Sequence, residues 1–384
     1  MRDFIVGRPA AALFPEAVVY SMQTGSVGGE ATITLRTGYT TGTSAAAAAK
    51  AAAMALWGFP EPQCVEVTLP GGDRVTLPVA FTDRSPDRAV AGVKKDGGDD
   101  PDVTHGSLVM ALVKRTIGVD VVSLGGEGIG IVTRPGLSVP IGEPAINPTP
   151  RRMIREAVRE VTDEGLEVTI SIPGGEELAN KTFNPRLGIR GGLSVLGTSG
   201  IVRPFSCSAL RDSVKCALNV AKACEVKTPV MVPGRIGERA AHRHFQVLDE
   251  QLIEVGNEWG FALDESRDCG FRRIMVLGHP GKLAKLAGGR WDTHSSRSES
   301  ALPMVKAAAA EVSVLSADAG ETVEGLFAAL APPESALLGA TVSARIADAV
   351  ADRICGRQEI AVVLVNMEGS ILGSHGDLTP WLVK

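Results

Sequence analysis

The chain has 384 residues, of which 44% are hydrophobic and 22% charged, enough for two hydrophobic cores. Its 39 Lys and Arg against 44 Asp and Glu leave a net charge of −5, which sets aside a protein built to wrap nucleic acid. Aromatic residues are scarce at 4%, while 44 glycines and 23 prolines point to many tight turns between small-residue elements.

Residues 1–30 contain no apolar core suited to a signal peptide and read as a loosely attached N-terminal extension. From Leu35 the sequence runs Leu-Arg-Thr-Gly-Tyr-Thr-Thr-Gly-Thr-Ser and then five alanines. A helix is expected over about 45–57, stopped by Gly58 and Pro60. An N-cap at Thr43 or Ser44 explains the loop structurally. Small hydroxyls and free N–H groups at a helix start equally suit an anionic or strongly polar ligand, and both explanations stand. Residues 65–69 and 74–80 flank Pro-Gly-Gly-Asp, a hairpin signal. Strands follow at 88–93, 107–116, 119–124 and 129–133, then a helix at 150–164 with Thr149 as N-cap and Gly165 past its end. This predicts an α+β domain over 31–204 with a mostly antiparallel sheet.

The second half alternates. Helices are expected near 208–225, 237–246, 281–287, 298–311 and 340–354, and strands at 229–232, 252–255, 273–277 and 360–365. Apolar strands alternating with helices predict a Rossmann-like α/β domain over 205–384, with the boundary near Phe205. No run of about 18 apolar residues occurs, and no Cys-x-x-Cys pair appears among the six cysteines. A soluble, cytoplasmic protein with free thiols, no structural zinc and no membrane partner is expected. The alanine-rich helices would also suit a homo-oligomer.

Several segments carry chemistry. Lys94-Lys-Asp-Gly-Gly-Asp-Asp-Pro-Asp-Val-Thr-His105 packs two cations, four carboxylates and a histidine into one loop. Such clusters serve metals, acid–base pairs or hydroxyl recognition. Asp96, Asp99, Asp100 and Asp102 lack the alternation and closing Glu of a calcium loop. His105 beside a carboxylate suits a proton carrier, although a structural hydrogen bond is the commoner fate. Gly125-Gly-Glu-Gly-Ile-Gly130 imitates a dinucleotide fingerprint, but a strand rather than a helix follows it. Residues 172–192 bring Lys181, Asn184, Arg186 and Arg190, suited to carboxylates. The turn Gly197-Thr198-Ser199-Gly200 lies beside the expected junction, where ligand clefts tend to form. Gly278-His279-Pro-Gly281-Lys282 ends a strand and opens a helix, the place where open α/β sheets bind ligands. Residues 290–297 add Trp291, Asp292, His294 and Arg297. No Gly-x-Ser-x-Gly elbow is present. His242 and His244, two apart on a helix, make a poor metal pair.

Together, residues 35–50, 94–106, 125–148, 171–206, 278–285 and 291–297 resemble the CbiD family of cobalt-precorrin-5B C1-methyltransferases, in family order and over nearly the whole chain after residue 30. Cysteine is common in that family at the position of Ser44. The resemblance implies methyl transfer from S-adenosylmethionine to a corrinoid whose cobalt belongs to the substrate. No separate protein metal is expected. The substrate's acetate and propionate carboxylates would be gripped by Arg36, Lys94, Lys95, Lys181 and Arg186, with Thr40, Thr41, Thr43, Ser44 and Asn184 completing the substrate site. His105 and Asp96 are the expected catalytic pair. The methyl donor would lie at Gly197–Gly200 or at Gly278, His279, Gly281 and Lys282. Two alternatives remain: a small-molecule kinase of the GHMP type, from the Thr-Thr-Gly-Thr-Ser loop, and a non-catalytic corrinoid carrier.

Overall fold

The computed structural model describes residues 35–204, 206–314 and 320–382. The expected extension over 1–30 and the proposed boundary residue at position 205 lie outside the described residues. The first half runs β1 (Gly38–Tyr39), α1 (Thr41–Leu56), β2 (Cys64–Thr68), β3 (Arg74–Pro78), β4 (Phe81–Arg84), β5 (Arg88–Lys94), β6 (Leu108–Thr116), β7 (Val121–Gly125), β8 (Ile131–Val132), α2 (Pro148–Arg159), β9 (Gly165–Ser171), α3 (Gly175–Ala179), β10 (Ile189–Arg190) and β11 (Ile201–Val202). Its main sheet has the order β4-β5-β6-β9-β7. Three of its pairings are antiparallel, as expected, but β7 runs parallel to β9. The chain leaves β7, passes through α2 and returns as β9, the crossover that parallel neighbours require.

Helix α1 begins four residues before the expected start. Thr40 is the N-cap, its hydroxyl accepting from Thr43 N–H at 3.2 Å, so the polar Thr41–Ser44 run is the first helical turn rather than a loop. The helix is buried on every side, lying against the sheet, α2 and the β2–β3 hairpin. Alanine on all faces allows that close approach, and a helix apolar all round belongs in a core. Its one charge, Lys50, donates to Glu66 O at 2.6 Å and to Glu160 at 2.7 Å. This single chain covers the α1 alanines completely, which removes them as a subunit contact. Helix α2 starts at Pro148 with Asn147 as cap, not at Pro150, because proline is at home in a first turn. It ends at Arg159, and Gly165 opens β9 instead of capping the helix.

The second half comprises α4 (Cys207–Ala223), β12 (Val230–Val232), α5 (Arg235–His244), β13 (Leu252–Glu254), α6 (Trp259–Arg267), β14 (Arg273–Gly278), α7 (Pro280–Ala287), α8 (Leu302–Glu311), α9 (Val323–Ala328), α10 (Pro332–Arg353), β15 (Glu359–Val365) and β16 (Ile371–His375). The sheet order is β13-β12-β14-β15-β16, parallel except for the last strand. Residues of α5 enter the core on one face, and those of α6, α7, α8 and α10 the core on the other. Elements α6, α9 and β16 are additional to the expected set. Helix α10 starts eight residues early because Pro332 and Pro333 occupy its first turn, where Glu334 accepts from Ala331 N–H at 3.0 Å. Among the described residues no helix is long and apolar enough to cross a membrane.

Candidate functional site

Strand order in the second sheet reverses at β12: the chain goes outward to β13, then back past β12 to β14. At such a switch point the loops after neighbouring strands diverge and leave a crevice at the carboxyl ends. The loops concerned touch here, since a Cβ on Gly278 would lie 2.7 Å from Pro233 Cδ. Gly234 follows β12 at φ +155°, and a Cβ placed on it would meet nothing within 4 Å except Glu254 Oε1, at 3.8 Å. Glu254 is the last residue of β13. Beyond it, Asn257 Oδ1 accepts from Lys282 Nζ at 3.1 Å and from Thr293 Oγ1 at 3.3 Å. Burial, and then the neighbouring Lys285, push the Lys282 ammonium below its ordinary pKa, while Glu254 opposes the shift.

The 291–298 segment closes over the same edge. Glu258, 5% exposed, pairs with Arg211 at 2.6 Å and with Arg297 at 3.8 Å. Asp292 pairs with Glu258 through the backbone as an antiparallel bridge, and its carboxylate binds Arg297 at 2.5 Å. Lys285 donates to Thr293 O and Ser298 Oγ. His279 caps α7: its Nδ1 accepts from Gly281 N–H at 3.0 Å and its Nε2 binds Glu324 at 2.6 Å. Both ring nitrogens therefore serve the fold. Arg186 arrives from the first half and pairs with Glu238 of α5 and, at 2.8 Å, with Glu254.

A second cluster gathers the expected residues of the first half. Arg36 forks onto Asp96, and its backbone N–H donates to Asp99 at 2.6 Å. The Arg36 hydrogen bond and then the Gly98 N–H hold Asp96 at a pKa of about 2, well below the usual carboxylate range. His105 Nδ1 accepts from Gly97 N–H at 3.0 Å and lies 3.8 Å from Asp96. This leaves Nε2 as the ring's proton-bearing nitrogen in the neutral form. The segment around Gly38 packs backbone to backbone on the 96–98 loop, with Tyr39 N–H donating to Asp96 O at 2.7 Å.

Other expected residues are placed elsewhere or tied internally. Lys95 is 2% exposed, its ammonium on Asp102 at 2.6 Å. Thr41 binds the carbonyls of Ser194 and Leu196, and Thr43 that of Gly200. Ser44 Oγ is buried without a partner. Gly197 lies on Thr40 and Gly200 on Leu69, so the 197–200 turn is closed onto α1, with Thr198 and Ser199 exposed at its tip. Asn184 is buried, binding Gly192 O and Ser194 Oγ. Lys94 and Lys181 are exposed. Sequence reasoning missed Gly234, Glu254 and Asn257, and also Arg239 and Arg243, exposed one helical turn apart on α5 beside the 367–369 turn. Among the described residues no group of three His, Cys, Asp or Glu is placed to hold a metal ion.

Open, doubly wound sheets with a polar crevice at the switch point characterise α/β proteins that take small-molecule ligands. The CbiD family model matches residues 29–204. The cobalt-precorrin-5B C(1)-methyltransferase of Syntrophotalea carbinolica is 53% identical over 349 residues, covering 90% of this chain and 99% of that protein. That of Moorella thermoacetica is 42% identical over 88% of this chain and 94% of its own length. The crystal structure of the cobalamin biosynthesis protein CbiD from Archaeoglobus fulgidus aligns over 67% of this chain and 81% of its own, with 30% identity and a TM-score of 0.38. The chain belongs to the CbiD family.

Proposed function

We propose that this protein transfers the methyl group of S-adenosylmethionine to carbon 1 of cobalt-precorrin-5B, giving cobalt-precorrin-6A. The carrying observation is the near full-length relationship to a relative bearing that activity. The second half is then a Rossmann-like domain beginning near residue 205, the first an α+β domain from about residue 31. Bound donor supplies a methyl already activated by its sulfonium, so the chain's tasks are to bind, orient and exclude water.

The carboxyl end of the sheet at the switch point suits the donor. Gly234 leaves its floor open, Glu254 Oε1 offers an acceptor, and Lys282, steadied by Asn257, offers a cation for the amino-acid carboxylate. Gly278 with Lys282 is therefore preferred over Gly197–Gly200, whose glycines are packed against Thr40 and Leu69. His279 and Gly281 would shape the α7 start without contacting the donor.

Substrate carboxylates need cations not already neutralised by a protein carboxylate. Arg36, Lys95 and Arg186 are paired in that way, whereas Lys94, Lys181, Arg239 and Arg243 are exposed, Arg243 giving one guanidinium nitrogen to Glu368 O at 2.9 Å. We assign the grip to these four, with cobalt arriving as part of the substrate. His105 is kept as the group that handles a proton through Nε2, with Asp96 positioning its loop. Six unpaired cysteines support a cytoplasmic setting. The kinase alternative required an open hydroxyl loop, and Thr40, Thr41, Thr43 and Ser44 are buried. Anaerobic incubation with cobalt-precorrin-5B and labelled S-adenosylmethionine, followed by mass spectrometry, tests the function. One labelled methyl at carbon 1 is expected; bound but unmethylated corrinoid would overturn it in favour of a carrier.

A further inference from the structure

We propose that the Glu254 carboxylate accepts the ribose hydroxyls of the methyl donor, an inference that rests on the donor function above. Glu254 ends β13, the strand that flanks β12 on the outer side of the switch point. In dinucleotide-binding sheets an acid about 20 residues beyond the glycine turn, at the end of the second strand, binds ribose. Gly234 and Glu254 stand in that relation. The space in front of Gly234 is bounded by Glu254 Oε1 and by no other atom within 4 Å of a Cβ placed there. An ionised carboxylate is a pure acceptor with room for about four hydrogen bonds, which matches two vicinal hydroxyl donors.

The structure also explains how the carboxylate stays available. Arg186 binds the other oxygen, Oε2, at 2.8 Å. Its second guanidinium nitrogen is anchored on Glu238. When Glu254 turns to a ribose, Arg186 retains a carboxylate partner, so no charge is stranded in a partly buried place.

The test is calorimetric binding of S-adenosylhomocysteine and of its 2′-deoxy and 3′-deoxy analogues to the full-length protein, first wild type and then Glu254→Gln. Hydrogen bonds to a charged acceptor predict a loss of about 10- to 150-fold for the deoxy analogues on wild type, from about 1.5–3 kcal/mol per bond. Glu254→Gln should weaken the parent compound to a similar degree and shrink its preference over the analogues. Wild type that binds all three compounds equally would overturn the assignment without recourse to any variant. So would a folded Glu254→Gln protein with unchanged affinity. Wild type that binds neither S-adenosylhomocysteine nor S-adenosylmethionine would instead overturn the donor function, and this assignment with it.

Discussion

Replacing Lys95 by methionine separates a buried structural cation from a substrate cation. The Lys95 side chain is 1% exposed, and its ammonium meets Asp102 at 2.6 Å. Asp102 also accepts from Thr104 N–H at 2.8 Å and Thr104 Oγ1 at 2.6 Å, and is 24% exposed. Stranding one charge of a fully buried pair costs about 3–5 kcal/mol. With partial exposure and two remaining donors, Lys95→Met should cost about 2–3 kcal/mol. For a unit of 150–250 residues that lowers Tm by about 4–12 °C.

Asp102→Asn strands Lys95 in a drier place and should cost more, and the double variant should recover part of both losses. The pH dependence has a definite sign. Burial alone would raise the Asp102 pKa, but Lys95 and Thr104 outweigh it and hold the carboxyl below its ordinary value. The pair's contribution is therefore full above the unfolded value of about 4 and fades as pH falls through the lower folded value. In Lys95→Met the lowering effect of the ammonium is gone, so Asp102 titrates higher than in wild type and the deficit narrows in acid. Thermal melts followed by circular dichroism at pH 7 and pH 4 measure both effects. An unchanged Tm together with weakened corrinoid binding would refute the reasoning and return Lys95 to the substrate site.

The other predictions concern the same half of the chain. Arg36→Ala should return the Asp96 titration from about 2 toward the ordinary carboxylate value, seen by NMR. In wild type this group's contribution fades between about pH 4 and pH 2, and at 43% exposure it is worth under about 1 kcal/mol. An unshifted titration would dissolve the Arg36–Asp96 pair. Ser44→Ala removes a buried hydroxyl without a partner and should raise stability by about 1 kcal/mol in denaturant melts. A loss would reveal a partner for that hydroxyl. Gly98→Ala places a Cβ 2.3 Å from Arg36 O at φ +67° and should cost about 2 kcal/mol or more, whereas Gly71→Ala, with open space around it, should be near neutral. Equal melts for the two would deny the close packing of the 36–39 and 96–98 segments.

Local signals carried much of the fold. The Pro-Gly-Gly-Asp turn marks the β2–β3 hairpin, and short apolar strands between helices mark the second sheet. What escaped was set by partners distant in sequence. Thr41–Ser44 looks like a loop because hydroxyl and glycine residues disfavour helix, yet residues 194–200 supply the hydrogen bonds that settle them there. Strand β7 looks like one more hairpin arm because its direction depends on where α2 returns the chain. For the site, Arg36 and Arg186 offered cations, but their carboxylates lie 60 and 68 residues away, so their neutralisation was invisible in any local window. Glu254 had a usable signal, an acid closing the second strand after a Pro-Gly turn, which an expected strand running one residue further obscured.

The seating of α1 has a consequence for the order in which the chain matures. Its first turn is tied to carbonyls 153–157 residues downstream. At a synthesis rate of about 5–20 residues per second, the alanine helix waits about 8–30 s on the ribosome before those partners exist. The hairpin, the sheet and α2 that cover its alanines are complete by residue 171, so the body of the helix can seat first and its polar first turn is the last part to be locked.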